Sequence, residues 1–184
     1  MSTLYQTALA ELGGVFAKLN DGEVDTALRM IASAKRIVVF GGGRERLLIM
    51  GFAMRLYHMG LAVAVEGDMT TPPVGKGDLF IVTVGPGEIS TALALIGVAK
   101  SAGAAILVIT AQPKGRAAAL ADFVLTLPAQ TMADDQGATK SSVLPMGSLY
   151  EGALFVLFEV MVLKLKDLLK IDPETMRANH TNLE

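Results

Sequence analysis

Short apolar runs alternate along the chain with segments of helical periodicity, and this order predicts a parallel α/β sheet. Five runs have the length and the Val, Ile, Leu and Phe content of strands, at 36–40, 61–65, 79–84, 105–110 and 123–127. Each run is continuously apolar, as in strands that are covered on both faces. Helical segments lie between most of them, and in one of these Ile49, Phe52 and Leu56 share an apolar face. The pattern predicts a doubly wound sheet.

Further helices are predicted before the first strand and after the last strand of the chain. Two precede it, at about 3–19 and 23–32, and a long helix follows it at about 149–169. The middle of the long helix is apolar on nearly every face, which favours burial all round, most simply in a subunit interface. Asp172 and Pro173 have the residue types of an N-cap and a first helical position, so a short terminal helix is expected there.

No internal repeat, low-complexity tract or linker divides the chain, so a single domain over 1–184 is predicted. Its sheet core spans about 35–128, with N-terminal helices at 2–33 and C-terminal helices and a tail at 145–184. One loop of unusual polarity, 131–142, lies between the last strand and the long helix.

The composition excludes several classes of protein. The chain has 184 residues, 52% of them hydrophobic and 18% charged, and no cysteine, which excludes a disulfide scaffold, a thiolate metal site and a cysteine nucleophile. The longest apolar run, 152–163, is interrupted by Glu159 and is shorter than the roughly 20 residues of a membrane-spanning helix. Because the start shows no secretory signal pattern, we expect a cytoplasmic protein that binds no membrane.

The net charge and the histidine content limit which partners and cofactors are expected. A net charge of −2 argues against nucleic-acid binding. The apolar share exceeds what a soluble monomer needs, so a homo-oligomer is expected. His58 and His180 are the only histidines, so no metal site and no metal cofactor are expected. His58 falls in a helix and is expected to be structural, whereas His180 lies in a polar tail, where a solvated side chain is the ordinary expectation.

Three of the strand ends carry loops suited to an anion, at 41–46, 85–88 and 110–116. Ligands of open parallel sheets bind beyond the carboxyl ends of the strands, glycines let them approach the backbone, and helix N-termini attract negative charge. The candidate residues are Gly41, Gly43, Gly85 and Gly87 with the cations Arg44, Arg46, Lys114 and Arg116. Ordinary turns remain the competing interpretation of these loops.

A dinucleotide site is an alternative for the first loop. It would need the pattern G-x-G-x-x-G, and the chain has Gly41 and Gly43 but Arg46 where the third glycine belongs. Glu66, at the end of the second strand, could be the ribose-binding acid. The missing glycine would crowd the helix against the sheet, so this alternative is disfavoured.

Glu151 has two interpretations. Ser148 followed by Glu151 is the spacing of a capping box, in which the glutamate binds back to the serine amide, and spacing alone favours this cap. A carboxylate at the mouth of an apolar helix is also suited to proton abstraction, since partial burial would raise its pKa.

Motifs spread over nearly the whole chain carry a family resemblance. The most specific are Pro-Met-Gly-Ser-Leu-Tyr-Glu at 145–151 and His-Thr-Asn-Leu-Glu at 180–184, supported by 52–60, 71–79 and 85–88. The chain resembles the 6-phospho-3-hexuloisomerases of the sugar isomerase (SIS) domain superfamily.

The resemblance implies a three-layer α/β/α sandwich with a five-stranded parallel sheet, assembled as a tetramer with shared active sites. It also implies the metal-free, cofactor-free isomerisation of 3-hexulose 6-phosphate to fructose 6-phosphate. Glu151 matches the family's base, which moves a proton through a cis-enediol, and His180 matches a histidine that reaches a neighbouring subunit's site and assists. The expected substrate-binding residues are Gly41, Gly43, Arg44, Arg46, Gly85, Gly87, Glu88, Ser90 and Lys114.

The chain departs from the family pattern at the first loop. The family usually has G-x-G-R-S-G there, and Glu45 and Arg46 replace the serine and the last glycine. Glu45 would repel a phosphate unless it pairs with Arg44 or Arg46.

The second loop departs as well. The family usually has S-G-S-G-E-T, and Val84, Pro86 and Ile89 take the hydroxyl positions. Each charge-assisted hydrogen bond lost in this way costs about 1 kcal/mol or more. The residues that could compensate are Ser90, Thr91, Lys114 and Arg116. We therefore expect an isomerase whose substrate anion differs from the family norm. The alternatives are a non-catalytic, sugar-phosphate-binding regulatory protein and an isomerase of a non-phosphorylated acidic sugar.

Overall fold

The computed structural model describes residues 2–183, so Met1 and Glu184, the last residue of the terminal motif, lie outside the described part of the chain. It contains one parallel sheet. The five strands have the order β2-β1-β3-β4-β5. Their bounds are β1 (Ile37–Gly41), β2 (Val63–Val65), β3 (Leu79–Thr83), β4 (Ala105–Thr110) and β5 (Phe123–Thr126). The five predicted strands are all present, β4 with the predicted ends and the others with shifted ends, and the parallel sheet is confirmed.

Seven α-helices accompany the sheet in the described residues, together with a short 3-10 helix at Gly137–Thr139. The α-helices are α1 (Leu4–Phe16), α2 (Asp21–Ser33), α3 (Gly43–His58), α4 (Ser90–Ser101), α5 (Arg116–Leu120), α6 (Ser148–Leu169) and α7 (Pro173–Ala178). The short α5 was not predicted. The start of α7 agrees with its sequence signal, because Asp172 accepts the Thr175 amide at 2.7 Å and Pro173 is the first helical residue.

The helices form one layer on each face of the sheet. Alternate strand residues such as Val39 and Ile81 belong to the core shared with α1, α2, α3 and α6. Their neighbours Val38 and Phe80 belong to the core shared with α4. Because both faces are covered, the strands are apolar without alternation. The predicted three-layer sandwich is confirmed.

The long helix α6 is buried on one side only within this chain. Phe158 stacks on Phe52 of α3 with ring centroids 4.4 Å apart, and Met161 and Leu165 are fully buried. On the opposite side Phe155 is 56% and Leu163 62% exposed. Burial on every face, as the sequence predicted, is therefore not reached within a single chain.

The order of the strands fixes where a ligand can bind. The connection from β1 leads to β2 on one side, while β3 continues to β4 on the other, so the helices after β1 and β3 diverge. Such a switch point leaves a crevice at the carboxyl ends of the two strands. Gly41 of β1 is paired in register with Thr83 of β3, so both strands open into this crevice at the same level. None of the helices among residues 2–183 is long and apolar enough to cross a membrane.

Candidate active site

A cavity of about 410 Å³ occupies the crevice, a volume typical of small-molecule sites. Its walls come from the start of α3, the loop before α4, the segment after β5 and the start of α6. The lining residues are Gly42, Gly43, Arg44, Glu45, Pro86, Ile89, Thr131, Met132, Met146, Gly147, Tyr150 and Glu151. The cavity thus combines apolar walls with one arginine and two carboxylates.

The first loop brings the backbone close to its neighbours, which explains its glycines. A Cβ atom on Gly41 would lie 2.9 Å from the Thr83 side chain, and one on Gly42 would lie 2.9 Å from Ile89. Gly43 has a φ of 54°, a conformation that is strained for other residues. These glycines let α3 begin directly against the end of β3. Of the predicted binding residues in this loop, Gly43 and Arg44 line the cavity, while Gly41 is buried and does not.

Glu151 lies in the first turn of α6, inside the cavity. Its side chain is only 18% exposed and forms an ion pair with the guanidinium of Arg44. Arg44 also donates to the Ser148 hydroxyl at 2.7 Å. The arginine therefore crosses from α3 to α6 and fixes the position of the carboxylate.

The predicted capping box is wrong. The N-cap of α6 is Gly147, in the left-handed conformation with a φ of 77°, and no side chain caps the helix. Ser148 is already the first helical residue, and its hydroxyl binds Arg44 instead of the Glu151 amide. The Glu151 carboxylate is thus available to the cavity.

Glu45 is the second carboxylate of the site, and it is only 7% exposed. It accepts the Thr83 hydroxyl at 2.6 Å and the Gly85 amide at 3.0 and 3.2 Å. Burial raises the pKa of Glu45, and the hydrogen bonds from Thr83 and Gly85 oppose that rise. Glu45 does not pair with Arg44 or Arg46, since both arginines form ion pairs with other carboxylates, so neither arginine offsets its charge.

Tyr150 closes the floor of the cavity behind Glu45. Its hydroxyl lies 3.2 Å from that of Thr83 and donates to the Ile109 carbonyl at 3.1 Å. Burial, followed by the nearby charge of Glu45, raises the pKa of Tyr150. A Cβ atom on Gly85 would lie 2.8 Å from the tyrosine ring, so only glycine fits between the ring and β3. Gly85 is thereby a packing residue beside the cavity.

Arg46 lies outside the cavity. Its guanidinium donates to the Glu66 carbonyl at 2.7 Å and lies 3.6 Å from the Glu66 carboxylate. Glu66, the acid that a dinucleotide site would use to bind the ribose, is therefore paired with Arg46. This pairing is a further argument against a dinucleotide site.

The remaining predicted binding residues of the second and third loops do not line the cavity. Glu88 pairs with Arg116 at the surface, and Ser90 and Lys114 are exposed. Gly87 has a φ of 83° and packs against Gln112, where a Cβ atom would be 2.6 Å away. From the second loop the cavity receives only Pro86 and Ile89, so neither Ser90 nor Thr91 replaces the lost hydroxyls there.

His180 lies away from Glu151 in the single chain. It follows α7, with its ring centroid 5.0 Å from that of buried His58 at the far end of α3. Arg44 is at the other end of that helix, about 20 Å away at about 1.5 Å per residue. Asn179 holds the tail by donating to the His58 carbonyl at 3.1 Å. No cluster of three or more metal-ligating side chains occurs within residues 2–183.

Six lining residues were not singled out individually from the sequence, and two of them, Gly42 and Gly147, lie in the first loop and in the 145–151 motif. Thr131 and Met132 belong to the polar loop that precedes α6, and Met146 and Tyr150 lie within the 145–151 motif. Only the unusual polarity of the loop marked Thr131 and Met132. The roles of all these lining residues depend on contacts with distant parts of the chain.

The buried Glu45 predicts how stability depends on pH. The folded state holds this proton to higher pH than the unfolded state, because the pKa lies above its ordinary 4.5. The free energy of unfolding therefore falls as pH rises from 4.5 through the folded pKa. Glu45→Gln has no such proton, so its stability relative to the natural chain is expected to increase across that interval. Urea unfolding of both proteins at one protein concentration and several pH values measures this difference. A difference that stays constant with pH would contradict the assignment.

Comparisons with known proteins agree with this geometry. The model of the SIS domain family matches residues 30–154. The 3-hexulose-6-phosphate isomerase of Bacillus subtilis (strain 168) is 34% identical over 176 residues, covering 96% of this chain and 95% of that enzyme. The enzyme of the same name from Mycobacterium gastri is 37% identical over 174 residues, covering 95% and 86%. A hypothetical protein from Methanococcus jannaschii, for which the function of 3-hexulose-6-phosphate isomerase was inferred from its crystal structure, matches with a TM-score of 0.84 at 26% identity, over 98% of both chains.

A doubly wound sheet with this crevice and this family match defines an SIS domain protein. Within that class, the chain belongs to the 3-hexulose-6-phosphate isomerases, also called 6-phospho-3-hexuloisomerases. The family and the enzyme class expected from the sequence are confirmed. The protein is an isomerase of the aldose–ketose type.

Proposed function

We propose that the protein interconverts 3-hexulose 6-phosphate and fructose 6-phosphate by proton transfer through an enediol. The observation that carries this proposal is the Glu151 carboxylate, held by Arg44 inside a cavity at the switch point of the sheet. The names of the relatives support the substrate. The bond changes are confined to two carbons, so one positioned base meets the main chemical requirement.

Glu151 acts as the base. It removes the proton from C2 of the 3-hexulose, and the electrons form a double bond between C2 and C3 while O3 becomes an enediolate oxygen. Glu151 then returns the proton to C3, and the carbonyl forms at C2. The guanidinium of Arg44, which contacts the base, stabilises the negative charge that develops on the enediolate.

A second group must move the proton between O2 and O3, and we assign this role to His180 of a neighbouring subunit. Within its own chain His180 is at the far end of α3 from Arg44. A second subunit that presented this end of its fold to the cavity would bring the histidine to the substrate. Imidazole is suited to such a transfer near neutral pH.

Exposed apolar side chains support an assembly with shared sites. On α3, Leu47 is 69% and Tyr57 59% exposed, and on α6 Leu163 is 62% exposed. On α1, Leu4 and Tyr5 are exposed as well. Patches of this kind mark contacts between proteins, and closed symmetry is their usual outcome. We propose a homo-oligomer, with the tetramer of the family as its form.

For the substrate itself, we propose that Gly43 and Arg44 contact it at the start of α3, because they line the cavity and Gly41 and Gly85 do not. Gly87, Glu88, Ser90, Lys114 and Arg46 have no part in this contact in the single chain, because none of them lines the cavity. An isomerase of a non-phosphorylated acidic sugar is the second candidate. The observation that favours it is the apolar pair Pro86 and Ile89 where hydroxyls would bind a phosphate.

Turnover of defined sugars tests the proposal. Purified protein is incubated with 3-hexulose 6-phosphate and with unphosphorylated 3-hexulose, and the ketose products are separated and quantified. We expect fructose 6-phosphate from the first substrate and little product from the second. Product from the free sugar alone would contradict a phosphosugar substrate and favour an isomerase of a non-phosphorylated sugar. Binding of both sugars without conversion would contradict catalysis and favour a regulatory protein.

A further inference from the structure

The carboxylate of Glu45, which lines the cavity, occupies hydrogen-bond donors at the end of β3 on residues that do not line it. The amide of Gly85, the second residue after β3, donates to both of its oxygens, at 3.0 and 3.2 Å. The Thr83 hydroxyl, at the last residue of β3, donates to it at 2.6 Å. The Gly85 amide, the first backbone donor of the second loop, is therefore already hydrogen-bonded to a carboxylate of the protein.

The hydroxyl hydrogens around Glu45 are also used. The Thr83 hydroxyl donates to Glu45, and the Tyr150 hydroxyl donates to the Ile109 carbonyl, 3.1 Å away, and lies 3.2 Å from the Thr83 oxygen. In this arrangement the Thr83 and Gly85 donors point at the carboxylate, and the Tyr150 donor points at the Ile109 carbonyl. A carboxylate has about four acceptor positions, of which these contacts fill three. One position remains for a donor from the cavity, and none of these groups is left to bind an anion.

We propose, on the basis of the proposed function, that Glu45 determines specificity: its carboxylate takes the Gly85 amide, excludes the substrate's phosphate from the end of β3, and accepts a sugar hydroxyl there. The phosphate then lies toward Gly43 and Arg44 at the exposed start of α3. This assignment accounts for the apolar Pro86 and Ile89, which have no phosphate to bind.

Charge is what distinguishes this role from a merely structural one. Glutamine has the same shape, accepts the Gly85 amide with its carbonyl oxygen and presents its amide group to Thr83. Glu45→Gln should therefore keep the packing while it removes the repulsion. Glu45→Ser, which restores the family's residue, removes both the charge and the volume. Glu23→Gln is the matched control, because the Glu23 carboxylate also accepts a backbone amide, that of Thr126 at 2.8 Å, and does not line the cavity.

Sulfate binding tests the proposal without any turnover. Sulfate is a dianion at all relevant pH values, and its affinity for the full-length natural protein and the three variants is measured by calorimetry at a pH of about 8. We expect Glu45→Gln and Glu45→Ser to bind sulfate about tenfold more tightly or better, a difference of at least about 1.4 kcal/mol. Glu23→Gln should bind it as the natural protein does.

Two results would overturn the proposal. One is unchanged sulfate affinity in both Glu45 variants while circular dichroism and thermal unfolding show them folded. The other is a gain for Glu45→Ser alone, which would mean that volume and not charge excludes the anion. Because the readout is binding, a lack of isomerase activity in the natural protein would leave this result standing, so the two proposals fail separately.

Discussion

Replacing Glu151 by glutamine is expected to lower kcat by a factor of about 10² to 10⁴, the usual contribution of a positioned base. The amide has the size of the carboxylate and can still accept from Arg44, so the start of α6 should keep its structure. It has no basicity with which to take the carbon-bound proton. Initial rates with 3-hexulose 6-phosphate measure the loss, and thermal unfolding checks that the fold is retained.

A control on the same helix separates chemistry from general effects. Asp167→Asn makes the same carboxylate-to-amide change at an exposed position near the end of α6. We expect it to keep the natural kcat. A Glu151→Gln enzyme with near-natural turnover would show that another group is the base. An equal loss of kcat in both variants would show that a change in α6 as a whole, and not the missing base, lowers the activity.

Two inactive variants are expected to restore each other's activity when they share an oligomer. Glu151→Gln lacks the base and His180→Asn lacks the second proton carrier, so each pure oligomer should be impaired by about 10²-fold or more. If a site takes Glu151 from one subunit and His180 from another, a mixed oligomer contains complete sites. Random 1:1 assembly makes about one quarter of the sites complete, by the symmetry of a shared interface.

Co-expression of the two variants with different affinity tags measures this recovery. Mixed oligomers are isolated through both tags, and their activity is compared with that of each pure variant. Activity near the pure-variant level would contradict a site shared between subunits. Near-natural activity of His180→Asn alone would remove the histidine from the reaction.

The sheet could be predicted from the sequence because its strands are buried on both faces. Val38 and Val39 point into opposite cores, so neither face tolerates polar residues, and the apolar run is readable without any tertiary information. The start of α7 was equally readable, since Asp172 caps a turn only three residues away. Local hydrogen bonds and local periodicity account for this part of the agreement.

The start of α6 could not be predicted in the same way. Met146 and Gly147 both have positive φ, at 51° and 77°, and they begin the helix one residue before the capping-box spacing would. Ser148 is then taken by Arg44, which is 104 residues away in sequence. A serine hydroxyl can form a hydrogen bond with a nearby backbone amide or with a side chain far away in sequence. The spacing of Ser148 and Glu151 alone does not decide which of these forms.

The same reason limits what the sequence says about the site. The resemblance indicated Glu151, and the fold brings it into the cavity with Arg44. The sequence offered Arg44 and Arg46 as residues that would offset the charge of Glu45, whereas its hydrogen-bond partners, Thr83 and Gly85, come from the end of β3 and the loop after it. Whether His180 meets Glu151 depends on a second chain, which no pattern within one chain specifies.

The central claim is enediol chemistry at Glu151, and isotope exchange in D₂O tests it most directly. The protein and 3-hexulose 6-phosphate are brought to equilibrium in D₂O, and carbon-bound deuterium is located by NMR. The account predicts deuterium at C3 of fructose 6-phosphate and at C2 of the 3-hexulose, and none with Glu151→Gln over the same time. Equilibration of the two sugars with no carbon-bound deuterium in either would contradict it.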